Sequence, residues 1–415
     1  MKILVIINEY PPYAGCGYPL LCEEAVNEFK KRGHSVHVLT GKSGCNGQDT
    51  VTQDISRILE FCPHNRLNEP ESYSLFSMLK WYYREWQEQR KLKHFIHELK
   101  PDIIFMWATK GFSYSVASFF LNKGIPLSGY VCGFWLKDHN ISAPFRRQYQ
   151  FWEWGNSAFK RKLKTALEFI LPIDHQPLSF NSLAYNTKTT ALAHTELSVS
   201  ETSPRLICDS IPVHQFMSLP RPNLDKPRKL LFFGRIVRNK DPLTLINACI
   251  QIQKQEQYAD IELNLVGWQT EPDYIAELHT AIASSPNPAA FNFIDPIDYE
   301  EIPQLLAKHH AIIVPSLVDA LPRTAAEALA AGLVLFVSNK AGITEYLTHK
   351  SDAMIFPAED TDTLTQQLIE VLSNPSLAAT LQANGQTLAK NFFSTARMVD
   401  EMETMLNETI NSYEK

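Results

Sequence analysis

Residues 312–347 read IIVPSLVDALPRTAAEALAAGLVLFVSNKAGITEYL, and their pattern decides the fold. Two apolar, β-branched runs, Ala311 to Val314 and Leu333 to Val337, flank an alanine-rich segment that closes at Gly332. Short apolar runs on either side of a helical segment predict a strand–helix–strand unit in a parallel sheet. Pro322 suits the first helical position and Gly332 the stop.

Charge is sparse in this stretch. Asp319 lies in the loop entering the helix, and Glu327 follows eight residues later among alanines. A carboxylate with such small neighbours is placed to meet something at close range. Leu321, before the proline, has no side-chain oxygen with which to cap the helix. The first amides, on Arg323 and Thr324, are then open to an outside anion such as a phosphate. The plainer alternative is a water-capped helix carrying an exposed Arg323–Glu327 pair at i,i+4, worth about 0.3–0.5 kcal/mol.

Upstream, the same rhythm repeats. A proline-rich stretch, residues 219–227, separates two halves and reads as a linker. After it Lys229 to Phe233 form a strand that ends in Gly234, and Arg235 and Lys240 follow in the next loop. A planar guanidinium and a point-charge ammonium beside a glycine suit a diphosphate; a solvated basic turn is the alternative. Further strands are expected near Ile261–Val266, Phe291–Asp295 and Ile312–Val314. In the first half, Lys2–Ile7 is a buried strand too short for a signal peptide. It runs into a loop holding Gly15 and Gly17, and then a helix over Leu20 to Arg32. The third glycine of a dinucleotide fingerprint is missing (Leu20), which argues against NAD. Strands follow at Ser35–Thr40, Pro101–Trp107 and Leu127–Cys132, with loops expected over 41–70. Both halves therefore predict doubly wound α/β domains, with ligands at the strand C-termini.

The 415 residues suit two domains or three, and 45% hydrophobic with 20% charged residues is ordinary globular composition. A net charge of −6 argues against nucleic acid as a partner. Seven cysteines without a CxxC or Cys/His pairing favour reduced thiols and a cytoplasmic location. No stretch approaches the roughly 20 apolar residues of a membrane span. The basic segment Phe159–Lys164 reads as a solvated helix face, with peripheral contact to an anionic membrane as the other reading.

In order and spacing, YPP with its glycine loop, RGHSVHVLT, PDIIFMW, GIPLSGYV, FFGRIVRNKDPLTLINA, LNLVGW, the opening stretch and AGITEYL resemble the retaining glycosyltransferases of family 4. The resemblance runs over nearly the whole chain. It implies a GT-B fold, two doubly wound Rossmann-like domains facing each other across a cleft: an acceptor domain over 1–218 and a donor domain over 228–394. The last helix, about 395–415, is expected to pack back on the first domain. The implied activity is transfer of a sugar from a nucleotide-sugar donor to a hydroxyl acceptor, without metal or other cofactor.

On that resemblance Asp319 and Glu327 occupy a Glu-x7-Glu signature, Asp319 near the donor sugar and Glu327 at the ribose. Arg235 and Lys240 hold the diphosphate, with Gly15, Gly17, Gly234, Leu321, Arg323 and Thr324 around it. The family's His–Asp pair on the acceptor side is replaced by Cys132–Gly133, with Trp135, Asp138 and His139 nearby. Asp360–Thr361–Asp362 spells a metal-binding DxD, but an Asp before a helix is first a cap. Rival readings are another GT-B enzyme, an epimerase or a phosphorylase, and a non-catalytic sugar- or partner-binding subunit.

Overall fold

The computed structural model describes residues 1–13, 17–42, 48–61, 75–112, 114–121, 123–133, 135–136, 158–174, 176, 178–194, 200–220 and 228–413. They form two compact units, Met1–Ile207 with Val399–Lys415, and Cys208–Met398.

In the first unit the strands are β1 (Lys2–Ile7), β2 (Ser35–Gly41), β3 (Thr50–Val51), β4 (Ile55–Leu59), β5 (Ile103–Ala108), β6 (Leu127–Val131), β7 (Ser182–Tyr185) and β8 (Arg205–Leu206). They lie in the order β3-β4-β2-β1-β5-β6-β7-β8. Every neighbour pair is parallel except β3–β4. The helices are α1 (Gly17–Lys31), α2 (Leu75–Leu99), α3 (Tyr114–Phe119), α4 (Ala158–Ile170) and α5 (Lys188–Ala193). Strand β5 is buried at every position, as a parallel strand covered on both faces must be.

The expected loops over 41–70 need correction, because β3 and β4 lie there. The β4 sequence ISRIL carries two polar residues, Ser56 and Arg57, yet both are buried. Arg57 is accommodated by donating to the carbonyls of Tyr10 (3.0 Å) and Pro11 (2.5 Å), which ties β4 to the loop after β1.

The second unit opens with α6 (Val213–Met217), then β9 (Lys229–Phe233), α7 (Pro242–Gln253), β10 (Glu262–Val266), α8 (Pro272–Ala283), β11 (Phe291–Ile294), α9 (Ile302–Ala307), β12 (Ala311–Val314), α10 (Arg323–Ala331), β13 (Val334–Ser338), β14 (Met354–Phe356), α11 (Thr361–Leu372) and α12 (Pro375–Phe392). Its parallel sheet has the order β11-β10-β9-β12-β13-β14. Counted within the unit this is 3-2-1-4-5-6, the dinucleotide-fold order, whose direction reverses between β9 and β12. Helix α13 (Thr395–Tyr413) completes the chain.

The expected domain boundary at residue 218 moves to Ile207–Cys208. Cys208, Ile211, Val213 and Phe216 pack in the same core as Ala325, Leu329 and Phe393. The Ile211 amide donates to the Phe393 carbonyl at 2.9 Å, and Arg397 to that of Cys208 at 2.8 Å. Residues 221–227 of the expected linker lie outside the described residues. Further along α13, Arg32 bridges Asp400 (2.6 Å) and Glu403 (3.0 Å), and Thr409 donates to the Ser182 hydroxyl at 2.7 Å. Among the described residues no helix is long and apolar enough to cross a membrane.

Candidate active site

The site is best defined in the second unit, where β9 and β12 are adjacent at the reversal of strand order. Such a switch point opens a crevice at the strand C-termini. Past β9 the chain turns at Gly234, whose amide donates to Val266 at 3.0 Å. The Ile236 amide donates to the Trp268 carbonyl at 2.8 Å, so the loops after β9 and β10 run side by side. A Cβ on Gly267 would lie 2.0 Å from the Gly234 carbonyl oxygen, so the close approach requires glycine.

Three basic residues leave this loop in different directions. Arg238 donates to Glu277 at 2.7 Å and lies over the Tyr274 ring. Arg235 is exposed. Lys240, in the turn Arg238–Lys240, forms an ion pair with Asp319, which belongs to the loop after β12. That pair spans the switch point. The Leu317 amide donates to the Asn239 carbonyl at 3.0 Å, and Gly342 to the Asp319 carbonyl at 2.9 Å, so backbone on both sides fixes the Asp319 loop.

Helix α10 begins at Arg323, one residue later than expected, with Pro322 as its cap residue. The ψ of 107° at Pro322 is extended, so the proline ends the loop and does not start the helix. No side chain caps this helix start. Leu321 is buried in the core, leaving only its backbone to face a ligand. Thr324 and Arg323 stand in the first turn.

The Arg323–Glu327 pair forms, with Nε donating to the carboxylate at 2.8 Å, but it is not the exposed pair of the plainer alternative, because Glu327 is buried. Glu327 is 1% exposed. Burial pushes its carboxyl above the usual range, while the Arg323 guanidinium and the Tyr299 hydroxyl pull it back. Arg323 also donates to the Tyr299 oxygen at 2.7 Å, which closes a three-membered network. Sequence reasoning missed Tyr299. Its signal was the Asp298-x-x-Glu301 capping box, which fixes Tyr299 at the start of a turn after β11.

The alanines around Glu327 serve packing. Residues 325–331 are all buried, and α12 approaches closely enough that a Cβ on Gly385 would lie 2.6 Å from Leu329. Gln382 and Gln386 of α12 donate to the Gly332 (2.7 Å) and Ala330 (3.0 Å) carbonyls, satisfying the helix end. Asp360 caps α11, accepting from the Thr363 amide (2.8 Å) and hydroxyl (2.6 Å).

In the first unit Gly17 begins α1, and the Tyr18 hydroxyl reaches the carbonyls of Trp107 (2.9 Å) and Tyr130 (2.7 Å) in β5 and β6. Cys132 is half-buried just past β6. Trp135, expected on the acceptor side, is 5% exposed. Gly15, Asp138 and His139 lie outside the described residues.

A switch point with basic side chains after β9, beside a helix start that no side chain caps, marks the candidate site of this α/β unit. Residues 219–388 match the family described as glycosyl transferases group 1. The chain has the GT-B fold. Sucrose-phosphate synthase from Thermosynechococcus elongatus superposes with a TM-score of 0.68 at 16% identity, covering 99% of each chain. Anabaena HepE in complex with UDP and glucose gives 0.64 at 16% identity, over 98% of this chain and 100% of HepE. The amylovoran biosynthesis glycosyltransferase AmsK of Erwinia amylovora is 28% identical over 157 residues. That alignment spans 36% of this chain and 37% of AmsK.

Proposed function

We propose that the protein is a retaining glycosyltransferase that moves a sugar from a nucleoside-diphosphate donor to a hydroxyl acceptor without a metal ion. The observation that carries this reading is the Lys240–Asp319 pair across the switch point, next to exposed Arg235 and the uncapped start of α10. HepE, of the same fold, is solved with UDP-glucose, which supports a nucleotide-sugar as donor.

In the reaction the bond from the anomeric carbon to the diphosphate oxygen breaks. A bond to the acceptor oxygen forms on the same face. The departing diphosphate takes the acceptor's proton, so no side-chain base is needed. Arg235, Lys240 and the α10 amides stabilise the charge that develops on the leaving group. Asp319 receives hydroxyls of the donor sugar once Lys240 turns to the diphosphate. The ribose hydroxyls join the network of Glu327, Arg323 and Tyr299.

Transfer from a panel of UDP-, GDP- and ADP-sugars tests the reading, with the product anomer assigned by NMR. Retained configuration and turnover unchanged in EDTA are expected. Lys240→Ala is expected to weaken nucleoside-diphosphate binding roughly tenfold, about 1.4 kcal/mol, in calorimetry. Inverted product, turnover that needs added manganese, or unchanged affinity in that variant counts against it.

A further inference from the structure

Trp268 sits in the loop after β10 and is 64% exposed. Among the described residues of the second unit, the large exposed hydrophobic side chains are Trp268 and Val318. Both stand on the C-terminal rim of the sheet, after β10 and β12, the two neighbours of the strand that leads into Arg235. Exposed apolar side chains gathered at one rim mark a contact surface more than scattered ones do.

The Trp268 backbone is fixed. Its carbonyl accepts from Ile236, and the Gly234–Gly267 approach locks the two loops together. Ile236 and Gln269 form a parallel bridge, which sets Arg235 beside Trp268 one residue earlier. Laterally paired residues in adjacent strands carry their side chains on the same face, about 5 Å apart. Arg235 and Trp268 therefore stand at neighbouring backbone positions on a rigid platform.

Resting on the donor reading above, we infer that Trp268 is a stacking platform for the nucleobase of the donor. Across the rim the order is Trp268 after β10, Arg235 after β9, Asp319 after β12. With the diphosphate at Arg235 and Lys240 and the sugar at Asp319, the nucleoside is left on the β10 side. Tyr299, after β11, ties the ribose network of Arg323 and Glu327 to the same side. An indole face there accepts a planar base without reading its edge.

The full chain is titrated with UDP, GDP, ADP, the matching glucose esters and inorganic pyrophosphate, by calorimetry and by tryptophan fluorescence. The nucleoside diphosphates are expected to quench the wild-type emission. Trp268→Ala should lose that quench and bind the preferred nucleoside diphosphate at least tenfold more weakly, with pyrophosphate affinity unchanged. Trp268→Phe should recover most of the affinity without the signal. Nucleoside-diphosphate affinity unchanged in Trp268→Ala overturns the inference alone, as does a loss confined to the glucose esters, which would place the sugar on the indole. Wild-type protein that binds none of the nucleotides, or Arg235→Ala with unchanged nucleotide and pyrophosphate affinity, overturns the donor reading and this inference with it.

Discussion

Two cation–carboxylate pairs stand at the candidate site of the second unit, and they are built differently. Lys240 and Asp319 come from loops after separate strands, and their side chains keep 21% and 16% of their exposure. Arg323 and Glu327 are one helical turn apart, and the Glu327 side chain keeps 2%. The first pair has water at hand, so either ion can change partner at modest cost. In the second the Glu327 carboxylate is enclosed, so Arg323, whose side chain keeps 15%, cannot leave without stranding a buried charge. A partner-exchanging pair suits ligand capture, whereas a closed pair holds the shape of the helix start that the ligand meets.

The largest expected effect separates the two pairs by stability. Removing one member of a buried pair leaves an uncompensated charge and costs about 3–5 kcal/mol, whereas a more exposed pair is worth about 1 kcal/mol or less. Glu327→Ala should therefore destabilise the second unit by the larger amount, and Asp319→Ala by the smaller. Hydrogen exchange at the β12 and β13 amides reads this unit by itself. Equal losses in the two variants would erase the distinction. Glu327→Gln keeps an acceptor for Arg323 and is the variant in which donor affinity can be measured on a folded protein.

Another buried carboxyl, in the first unit, sharpens the contrast because it is paired with an amide and not with a cation. Glu88 accepts from the Glu60 amide at 2.7 Å. Burial pushes it up to about 8, reinforced by Glu85 and Glu60 and opposed by that amide and Lys42. The folded state therefore holds its proton more tightly than the unfolded state, where the group titrates near 4.5. Its stabilising share is complete below that value and is lost as pH rises to about 8. Melting of the first unit should fall between pH 5 and 8, and Glu88→Gln should flatten that fall, with little change at pH 5. An unchanged slope in the variant would show that other groups carry it.

Much of this was legible in the residues. Short apolar runs around Gly-stopped helices spell parallel strands, and the basic residues after β9 fall opposite Asp319 because strand order reverses there. Other features were not legible, for physical reasons. Strand β4 hides behind two polar residues: Arg57 is buried against carbonyls 46 and 47 residues away in the chain, and Ser56 against His37, 19 residues away. The alanines of α10 looked like room for a ligand, but alanine serves equally where a second helix must come close, and Gly385 on α12 shows that it does. Residues 208–217 looked like the end of the first domain because their apolar partners, among them Phe393, lie far along the chain.

The smallest expected effect is the most discriminating for the exchange idea. If Lys240 must leave Asp319 to reach a diphosphate, the ion pair is a cost on binding, and removing the carboxylate charge should lift it. Asp319→Asn is then expected to bind free UDP, GDP or ADP a few-fold more tightly than the wild type, a gain of about 1 kcal/mol. Turnover with the sugar nucleotide should fall in the same variant, because a hydroxyl acceptor has lost its charge. Asp319→Glu restores the pair on a longer stem, so its affinity for the free nucleotide should return toward wild type. A purely structural ion pair predicts the opposite sign: loosening the Asp319 loop would weaken binding of nucleotide and sugar nucleotide together. Calorimetry on the three proteins with the free diphosphate alone therefore separates a pair that waits for its ligand from one that only holds two loops.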